Sequence, residues 1–299
     1  MNLHVVDMSP AVYAGSFNKH SIIPCDIVQT PEGYRERYIP TGGTSQLFNI
    51  LAQYMSTGDF AFVADRRPTI KQEMYPNYKI SRAHPQHISI GKEVAEYILR
   101  DCGFTIHARD GYEADDVIAN IVYANHDKYD HIYVHTADSD LYMLVDEKVS
   151  IKPTSSQAKE VTLENYGSVV KRGQYTEYNT LVFNKFLKGD PGKDIPGLGS
   201  AAAQHVIERI APDPSHYEKL GKWRYMRSLV QRLLPDLYDR FVLFYPLPID
   251  EPWEIQSEGN VERIKNWAYE IRNRKIPGRQ GDLSKQIKEM QDMALYLED

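Results

Sequence analysis

The chain has 299 residues, of which 42% are hydrophobic and 25% are charged, so we expect a packed soluble globule with one large or two modest α/β domains. It contains no run of eighteen apolar residues and no signal peptide at its start, which argues against a membrane span and against secretion. The formal net charge of −6 argues against a uniformly basic, nucleic-acid-binding surface. The two cysteines, Cys25 and Cys102, have no metal-ligand spacing and favour a reducing cytoplasm.

The first half of the chain has the hydrophobic pattern of alternating strands and helices. Strands are predicted at residues 3–7, 60–65, 104–108 and 131–136. Helices are predicted at 45–55, 92–101, 113–125 and directly after Asp140. A polar loop with turn signals at Pro24, Pro31 and 40–43 is predicted after the first strand, and residues 66–90 are predicted to be irregular and basic. The alternation predicts an α/β fold with a mostly parallel sheet flanked by helices.

From about residue 176 the pattern becomes mostly helical. Helices are predicted at 178–187, 201–210, 222–233, 261–274 and 283–297, with a Gly/Pro-rich hairpin between the first two and a basic linker at 275–282. We therefore predict a core domain of residues 1–175 and a helical region of residues 176–299. The tryptophans of the helical region are expected in its core.

Acidic residues cluster where the predicted strands end. Asp7, Asp65 and the pair Asp138/Asp140 each follow a strand, and ligands of parallel sheets bind beyond the carboxyl ends of the strands. Further acids open a helix at Glu113, Asp115 and Asp116, and flank a turn at Asp190 and Asp194. Taken singly, these acids also suit a helix dipole, an N-cap or a surface turn.

Gathered at one edge of a sheet, these carboxylates would repel one another unless cations offset their charge. Mg²⁺ suits carboxylate oxygens, and two such ions about 4 Å apart can activate a water and stabilise the leaving oxygen of a phosphodiester. Bound cations would also cancel part of the net negative charge, leaving basic residues to form a local DNA track. The sequence shows no Ser-His-Asp spacing, Walker loop or zinc-ligand set.

Three ordered motifs carry a resemblance to a known family. The stretches 110–116 (DGYEADD), 136–140 (TADSD) and 188–190 (KGD) resemble those of the flap-endonuclease/5′-nuclease family, which includes bacteriophage 5′→3′ exonucleases and the 5′-nuclease domain of bacterial DNA polymerase I. The resemblance covers residues 3 to 210. It implies a PIN-like core and a two-metal 5′→3′ exonuclease or flap endonuclease that hydrolyses DNA, or RNA primers on DNA, during replication.

The resemblance also implies roles for individual residues. The first metal site would comprise Asp7, Asp65, Glu113, Asp115 and Asp138, with Asp116 close by, and the second Asp140, Asp190 and Asp194. A helical gateway at about 66–92 would supply Lys79 and Arg82 for catalysis, and Arg66, Lys71 and Tyr78 for nucleic-acid contacts. A helix–hairpin–helix at about 178–210 would hold a duplex phosphate at Gly197 and Gly199 through a K⁺ ion. The alternatives are helix packing for Tyr78, a solvated face for Lys79 and Arg82, and a tight turn for the hairpin.

The sequence departs from the family pattern around the second metal site. The family commonly places its last two aspartates three residues apart, whereas Asp190 and Asp194 are four apart and Lys193 stands where the second aspartate would fall. Either one residue is inserted or the site has lost a ligand. Ala201 also stands where the family often has a lysine near the phosphate. Residues from about 211 onward match weakly.

The implied cofactors are two or more Mg²⁺ ions, with Mn²⁺ as a substitute. The implied partners are DNA with 5′ flaps, nicks or free 5′ ends, RNA–DNA primers, and a replication polymerase or single-strand-binding protein. A monomer in the cytoplasm is expected, which is the host cytoplasm if a phage encodes the chain, with no membrane partner. Two other functions stay open: an RNA-directed nuclease of the related acidic-cluster type, and a non-catalytic DNA-junction binder.

Overall fold

The computed structural model describes residues 1–16, 22–31, 33–81, 86–154, 159–166, 181–210, 213, 223–255 and 259–273. The chain divides into two compact units that alternate along the sequence. The first unit comprises Met1–Val5, Asp65–Arg82 and Ala108–Glu254, and the second comprises Val6–Ala64, Ala83–His107 and Ile255–Asp299. The predicted domain boundary at 175/176 lies outside the described residues and stays a prediction.

The strands form one central sheet and two small hairpins. They are β1 (Asn2–Asp7), β2 (Ile22–Thr30), β3 (Gly33–Pro40), β4 (Gly58–Val63), β5 (Ile106–His107), β6 (His131–Thr136), β7 (Val149–Pro153), β8 (Gly189–Asp190) and β9 (Ile195–Pro196). The central sheet has the order β5-β4-β1-β6-β7, and its β4–β5 and β6–β7 pairs are parallel. Strands β2 and β3, and strands β8 and β9, pair in antiparallel fashion. The predicted α/β class with a mostly parallel sheet is therefore confirmed.

The helices lie between and after these strands. They are α1 (Met8–Ser16), α2 (Gly42–Tyr54), α3 (Thr69–Met74), α4 (Gln86–Asp101), α5 (Ala114–Asn125), α6 (Leu181–Lys188), α7 (Ser200–Ile210), α8 (Trp223–Leu233), α9 (Tyr238–Phe241) and α10 (Val261–Asn273). Short 3-10 helices cover Ser139–Leu144, Pro191–Lys193 and Pro235–Leu237. In the part of the chain that the structure describes, no helix is long and apolar enough to cross a membrane.

The sequence prediction was wrong between the first strand and the first predicted helix. The segment expected to be a polar loop forms helix α1 and the β2–β3 hairpin. Pro24 lies within β2, where the pairing register shifts between Pro24 and Asp26. Proline has no N–H to donate, so it is tolerated at such an irregularity of a two-stranded hairpin. The turn signal therefore marks a break in pairing and not the absence of a strand.

Other differences are smaller. The segment expected to be irregular contains α3, and α4 begins at Gln86, six residues before its predicted start. The helix expected after Asp140 is a 3-10 helix, and β7 follows it without having been predicted. The predicted linker at 275–282 and helix at 283–297 lie outside the described residues.

The core of the first unit includes the apolar strand β6 and helix α5. Ile132 and Val134 on β6 are fully buried, as are Val117, Ile118 and Ile121 on α5. Burial of such side chains contributes about 1.5–3 kcal/mol each. This packing fixes the ends of β6 and α5, where the acidic residues lie.

A buried histidine pair belongs to the same unit. The Nδ1 atom of His4 lies 3.0 Å from Nε2 of His135, and this hydrogen bond needs one ring to donate and the other to accept. Burial, and then the positive charge of Lys152, lowers the pKa of His4 to about 4. Burial, followed by the His4 and Lys152 charges, lowers the pKa of His135 to about 3. Both rings are therefore neutral at pH 7.

Candidate functional site

The acidic residues of the first unit are held at the start of α5 and just after β6. Glu113 is the N-cap of α5, and Asp115 and Asp116 lie in its first turn, where the helix dipole favours negative charge. The Asp65 Oδ1 atom accepts a hydrogen bond of 2.9 Å from the Ala114 amide, which ties the segment after β4 to the same helix end. These acids therefore converge on one helix N-terminus, and their role as metal ligands stays a prediction.

Asp138 caps the 3-10 helix that follows β6. Its amide donates to the Thr136 Oγ1 atom at 3.0 Å, and its Oδ1 atom accepts from the Asp140 amide at 2.8 Å. This is the N-cap geometry that the sequence offered as the structural alternative. The cap uses one carboxylate oxygen of Asp138 in the contacts described.

Glu113 is a buried carboxylate surrounded by donors. Its Oε2 atom accepts from Lys71 Nζ at 2.9 Å and from the Tyr78 hydroxyl at 2.7 Å, and its Oε1 atom pairs with Lys79 Nζ. Burial alone would raise the pKa of Glu113, but the charges of Lys71, Lys79 and Lys193 outweigh burial and lower it. Glu113 is therefore ionised at neutral pH although it is only 5% exposed.

Asp116 is fully buried and both of its oxygens are engaged. Oδ1 lies 2.9 Å from Lys71 Nζ and accepts from the Leu247 amide at 2.8 Å, and Oδ2 accepts from the Glu113 amide at 3.0 Å. These contacts join the start of α5 to the segment that follows α9. Asp116 thus connects these two segments, and because both of its oxygens are engaged it is not available as a ligand for a cation.

Lys71 and Tyr78, for which the resemblance implies nucleic-acid contacts, lie in the interior, and for Tyr78 this matches the packing that the sequence left open as the alternative. Lys71 is 2% exposed and Tyr78 is fully buried. Burial would lower the pKa of Lys71, but the carboxylates of Asp116 and Glu113 outweigh burial and raise it. Burial also raises the pKa of Tyr78. The Tyr78 hydroxyl donates to Glu113 and the ring is fully buried, so neither face of the ring is exposed for stacking on a nucleic-acid base.

Asp115 and Asp138 are the acids of the first cluster that no ion pair of the described residues reaches. Both side chains are partly buried. Burial, and then the charges of Asp138 and Glu113, raise the pKa of Asp115 well above its usual range. Burial is the largest cause of this rise, and the neighbouring carboxylates add to it. A hard divalent cation would favour the ionised form of Asp115, and Asp65, Asp115 and Asp138 offer it carboxylate oxygens.

Among the residues that the structure describes, no three or more His, Cys, Asp or Glu side chains are grouped closely enough to hold a metal ion. In the first cluster the donors nevertheless fit a divalent cation, because they are all carboxylates and no ion pair of the described residues occupies Asp115 or Asp138. Asp7 lies in the second unit, where it is 3% exposed and accepts from the Ser9 amide at 3.2 Å. Its role as a ligand stays a prediction.

The residues predicted for the second metal site have lysine partners. Asp140 is 3% exposed, and its two oxygens lie 2.8 Å from Lys185 Nζ and 2.9 Å from Lys193 Nζ. Burial would raise the pKa of Asp140, but Lys193 and then Lys185 lower it to about 2. Asp190 lies 3.3 Å from the same Lys185 ammonium. These two acids are compensated by lysines and do not fit a second divalent ion.

Asp194, the third acid predicted for the second metal site, binds Ser81. Its backbone is left-handed, with φ of 57°, and its carboxylate accepts from the Ser81 amide at 3.0 Å and the Ser81 hydroxyl at 2.7 Å. The backbone hydrogen bond from Ser81, and then that from its side chain, lower the pKa of Asp194. The structure therefore does not bring Asp194 into contact with Asp140.

The remaining predicted site residues are placed as follows. The Arg66 guanidinium donates to the Asp65 carbonyl at 2.9 Å, and Arg82 lies outside the described residues. Helix α6, the β8–β9 hairpin and helix α7 follow in the order expected of the predicted duplex-binding element. Gly197 packs so tightly that a Cβ would lie 2.5 Å from the Lys188 carbonyl oxygen, and Gly199 has φ of 80° with open space around it. Their binding of a phosphate and K⁺ stays a prediction.

The sequence of the chain is similar to parts of much longer proteins. It is 30% identical to DNA polymerase I of Chloroflexus aurantiacus over 200 residues, which is 61% of this chain and 21% of that protein. It is 27% identical to DNA polymerase I of Caldicellulosiruptor bescii over 215 residues, which is 69% of this chain and 25% of that protein. The chain thus spans about a fifth to a quarter of the length of the curated relatives it matches.

The fold is similar to solved structures over the whole chain. The T5 D15 protein co-crystallised with metal ions is matched with a TM-score of 0.54 at 17% identity, over 98% of this chain and 100% of that one. The bacteriophage T5 D15 flap endonuclease in complex with DNA and metal ions is matched with a TM-score of 0.53 at 18% identity, over 99% and 100%. The family model for the 5′-3′ exonuclease, N-terminal resolvase-like domain, matches residues 3–172. The chain therefore belongs to the 5′-3′ exonuclease family that this resolvase-like domain defines.

Proposed function

We propose that the chain is a divalent-metal-dependent, structure-specific 5′-nuclease, a 5′→3′ exonuclease and flap endonuclease that hydrolyses phosphodiester bonds. The observation that supports this proposal most directly is the gathering of Asp65, Glu113, Asp115 and Asp116 at the N-terminus of α5, with Asp138 close enough to influence Asp115. So many carboxylates close together are costly in a folded protein unless cations bind among them. Membership of the 5′-3′ exonuclease family supports the same activity.

In this proposal the residues of the first cluster are either metal ligands or residues that position those ligands. Asp65, Asp115 and Asp138 would hold a divalent cation, which when bound activates a water and offsets charge on the scissile phosphate. Lys71 keeps Glu113 ionised and in place through a contact of 2.9 Å. Asp116 fixes the end of α5 through its backbone contacts.

Lys79 is the basic residue we assign to the substrate. Its side chain is 14% exposed, compared with 3% for Lys71, although both ammonium groups pair with Glu113. A partly exposed cation next to the metal-binding carboxylates can contact the phosphate and offset charge that develops there. Arg82, three residues further on, would share this role.

The proposed substrates are DNA with 5′ flaps, nicks or free 5′ ends and RNA primers on DNA. A solved flap endonuclease of similar fold contains DNA and metal ions, which supports DNA as the substrate and a divalent metal as the cofactor. We propose Mg²⁺ as that metal, with Mn²⁺ as a substitute, and K⁺ at Gly197 and Gly199. A monomer in the cytoplasm that works with a replication polymerase or a single-strand-binding protein completes the proposal.

A substrate panel tests the proposed function. Wild-type protein is incubated with end-labelled 5′-flap, nicked, blunt-duplex and single-stranded DNA and with a flap made of RNA, each with Mg²⁺ and with EDTA. We expect Mg²⁺-dependent cleavage of the flap and nicked substrates near the junction. Flap binding without cleavage at any Mg²⁺ or Mn²⁺ concentration would instead establish a non-catalytic junction binder. Cleavage confined to single-stranded RNA would establish an RNA-directed nuclease.

A further inference from the structure

Lys193 occupies the position in the second cluster where the family pattern has an aspartate. Its side chain is 8% exposed, and its ammonium lies 2.9 Å from Asp140 Oδ2. The same ammonium lies 5.9 Å from the centre of the Phe244 ring. Lys193 is thus a buried cation bound directly to the acid that would be expected to hold a metal.

The backbone around Lys193 is fixed on both sides. The Lys79 amide donates to the Lys193 carbonyl at 3.1 Å, and Ser81 holds the Asp194 carboxylate. Lys79 and Asp194 both have left-handed backbones, with φ of 53° and 57°. Such conformations persist in non-glycine residues only where the surroundings enforce them. The turn therefore directs the Lys193 side chain towards Asp140 and leaves Asp194 on Ser81.

The formal charges of the two clusters differ. Asp140 and Asp190 carry two negative charges, and the two lysines that contact them, Lys185 and Lys193, carry two positive charges. The second cluster is formally neutral and offers a divalent cation no net attraction. In the first cluster Lys71 and Lys79 contact Glu113 and Asp116, whereas no ion pair of the described residues reaches Asp115 or Asp138.

We infer that the second carboxylate cluster is not a metal site, and that the Lys193 ammonium stands there permanently in place of a second divalent ion. This inference rests on the proposed metal-dependent nuclease function and specifies how that site is built. A divalent ion at Asp140 would have to displace two lysines from their carboxylate contacts. All tight divalent binding is then assigned to the first cluster.

The test counts bound Mn²⁺ ions by electron paramagnetic resonance, with the full chain in the absence of DNA. Asp140→Asn is expected to bind the same number of ions as wild type, with affinity changed by less than about threefold. Asp115→Asn is expected to bind at least one ion fewer. Loss of an ion in Asp140→Asn, or an affinity at least tenfold lower, would overturn the inference, because Asp140 would then be a metal ligand.

A second variant is designed to add a metal ligand to the second cluster. Lys193→Asp replaces the buried ammonium with a carboxylate, and we expect it to bind one Mn²⁺ ion more than wild type. The exposed Lys188→Asp on the neighbouring helix end is the matched control and is expected to gain none. Far-UV circular dichroism checks that each variant is folded, and the Asp140→Asn comparison decides the matter if Lys193→Asp does not fold.

The outcomes separate this inference from the proposed function. If wild type binds no Mn²⁺ but Lys193→Asp gains an ion, the metal-dependent function fails while the inference about Lys193 stands. If wild type binds Mn²⁺ but Asp140→Asn loses an ion, the function stands and the inference fails. A folded Lys193→Asp variant that gains no ion also contradicts the inference, whatever wild type does.

Discussion

Replacement of Lys71 by methionine removes the buried cation that joins two carboxylates. The ammonium lies 2.9 Å from both Glu113 and Asp116, and Lys71 is 2% exposed. Breaking a buried ion pair typically costs about 3–5 kcal/mol, because an uncompensated charge stays in the interior. Glu113 retains Lys79 and Tyr78, and Asp116 retains two backbone amides, so we expect a loss near 3 kcal/mol.

Urea unfolding followed by circular dichroism measures this loss for wild type, Lys71→Met and the exposed control Lys188→Met. The midpoint should fall in Lys71→Met with little change in slope, whereas the control should stay within about 0.5 kcal/mol of wild type. A loss below about 1 kcal/mol in Lys71→Met would show that the ammonium is not a buried ion-pair partner of Glu113 and Asp116. Lys71 would then be accessible for the nucleic-acid contact that the resemblance implies, and DNA affinity would fall instead.

Three further changes test the packing of the site and the core. Tyr78→Phe loses a hydrogen bond to a buried carboxylate and should lower the free energy of unfolding by about 1.5–3 kcal/mol in urea titrations, whereas no change would show that the hydroxyl is solvated. Gly189→Ala places a Cβ 2.4 Å from the Gly197 backbone nitrogen at φ of 87° and should lower the free energy of unfolding by roughly 2–5 kcal/mol. Gly199→Ala has a similar φ but open space around it, so its loss should be smaller. Equal losses in the two variants would contradict this prediction. The pKa values of His4 and His135 are lowered in the folded protein, so below pH 6.5 the unfolded chain binds more protons than the folded chain. The free energy of unfolding should therefore fall as the pH falls from 6.5 to about 3–4. Each ring contributes a loss of up to about 1.4 kcal/mol per pH unit. A His135→Gln variant with an unchanged pH profile of unfolding would contradict the last prediction.

The local sequence pattern was sufficient to predict a strand whose own side chains are buried in the core. The run 131–136 was predicted as a strand with the bounds that the structure has, and its β-branched Ile132 and Val134 are fully buried. The hairpin of β2 and β3 was missed because its two strands are defined by pairing with each other, which no single segment encodes. Pro24 added a turn signal inside a paired strand.

The acids of the site were predictable from the sequence and their partners were not. Aspartates after strands and at a helix start follow from the chain order, so Asp65, Asp115 and Asp138 could be chosen without a structure. No local pattern indicates that Lys71 and Lys185 are partly or wholly buried ion-pair partners, because both lie on short polar or amphipathic helices. The one available signal was charge balance, since a cluster with so many acids requires cations from somewhere in the chain.

The single-turnover rate at which Asp115→Asn cleaves one 5′-flap substrate decides whether Asp115 holds the metal of the nuclease reaction. Wild type and the exposed control Asp127→Asn are measured in the same Mg²⁺ concentrations, with flap binding determined separately by anisotropy. We predict that Asp115→Asn binds the flap but cleaves it at least about 100-fold more slowly, and that Asp127→Asn matches wild type. Cleavage by Asp115→Asn at the wild-type rate would contradict the account, because Asp115 could not then hold the metal that the reaction requires.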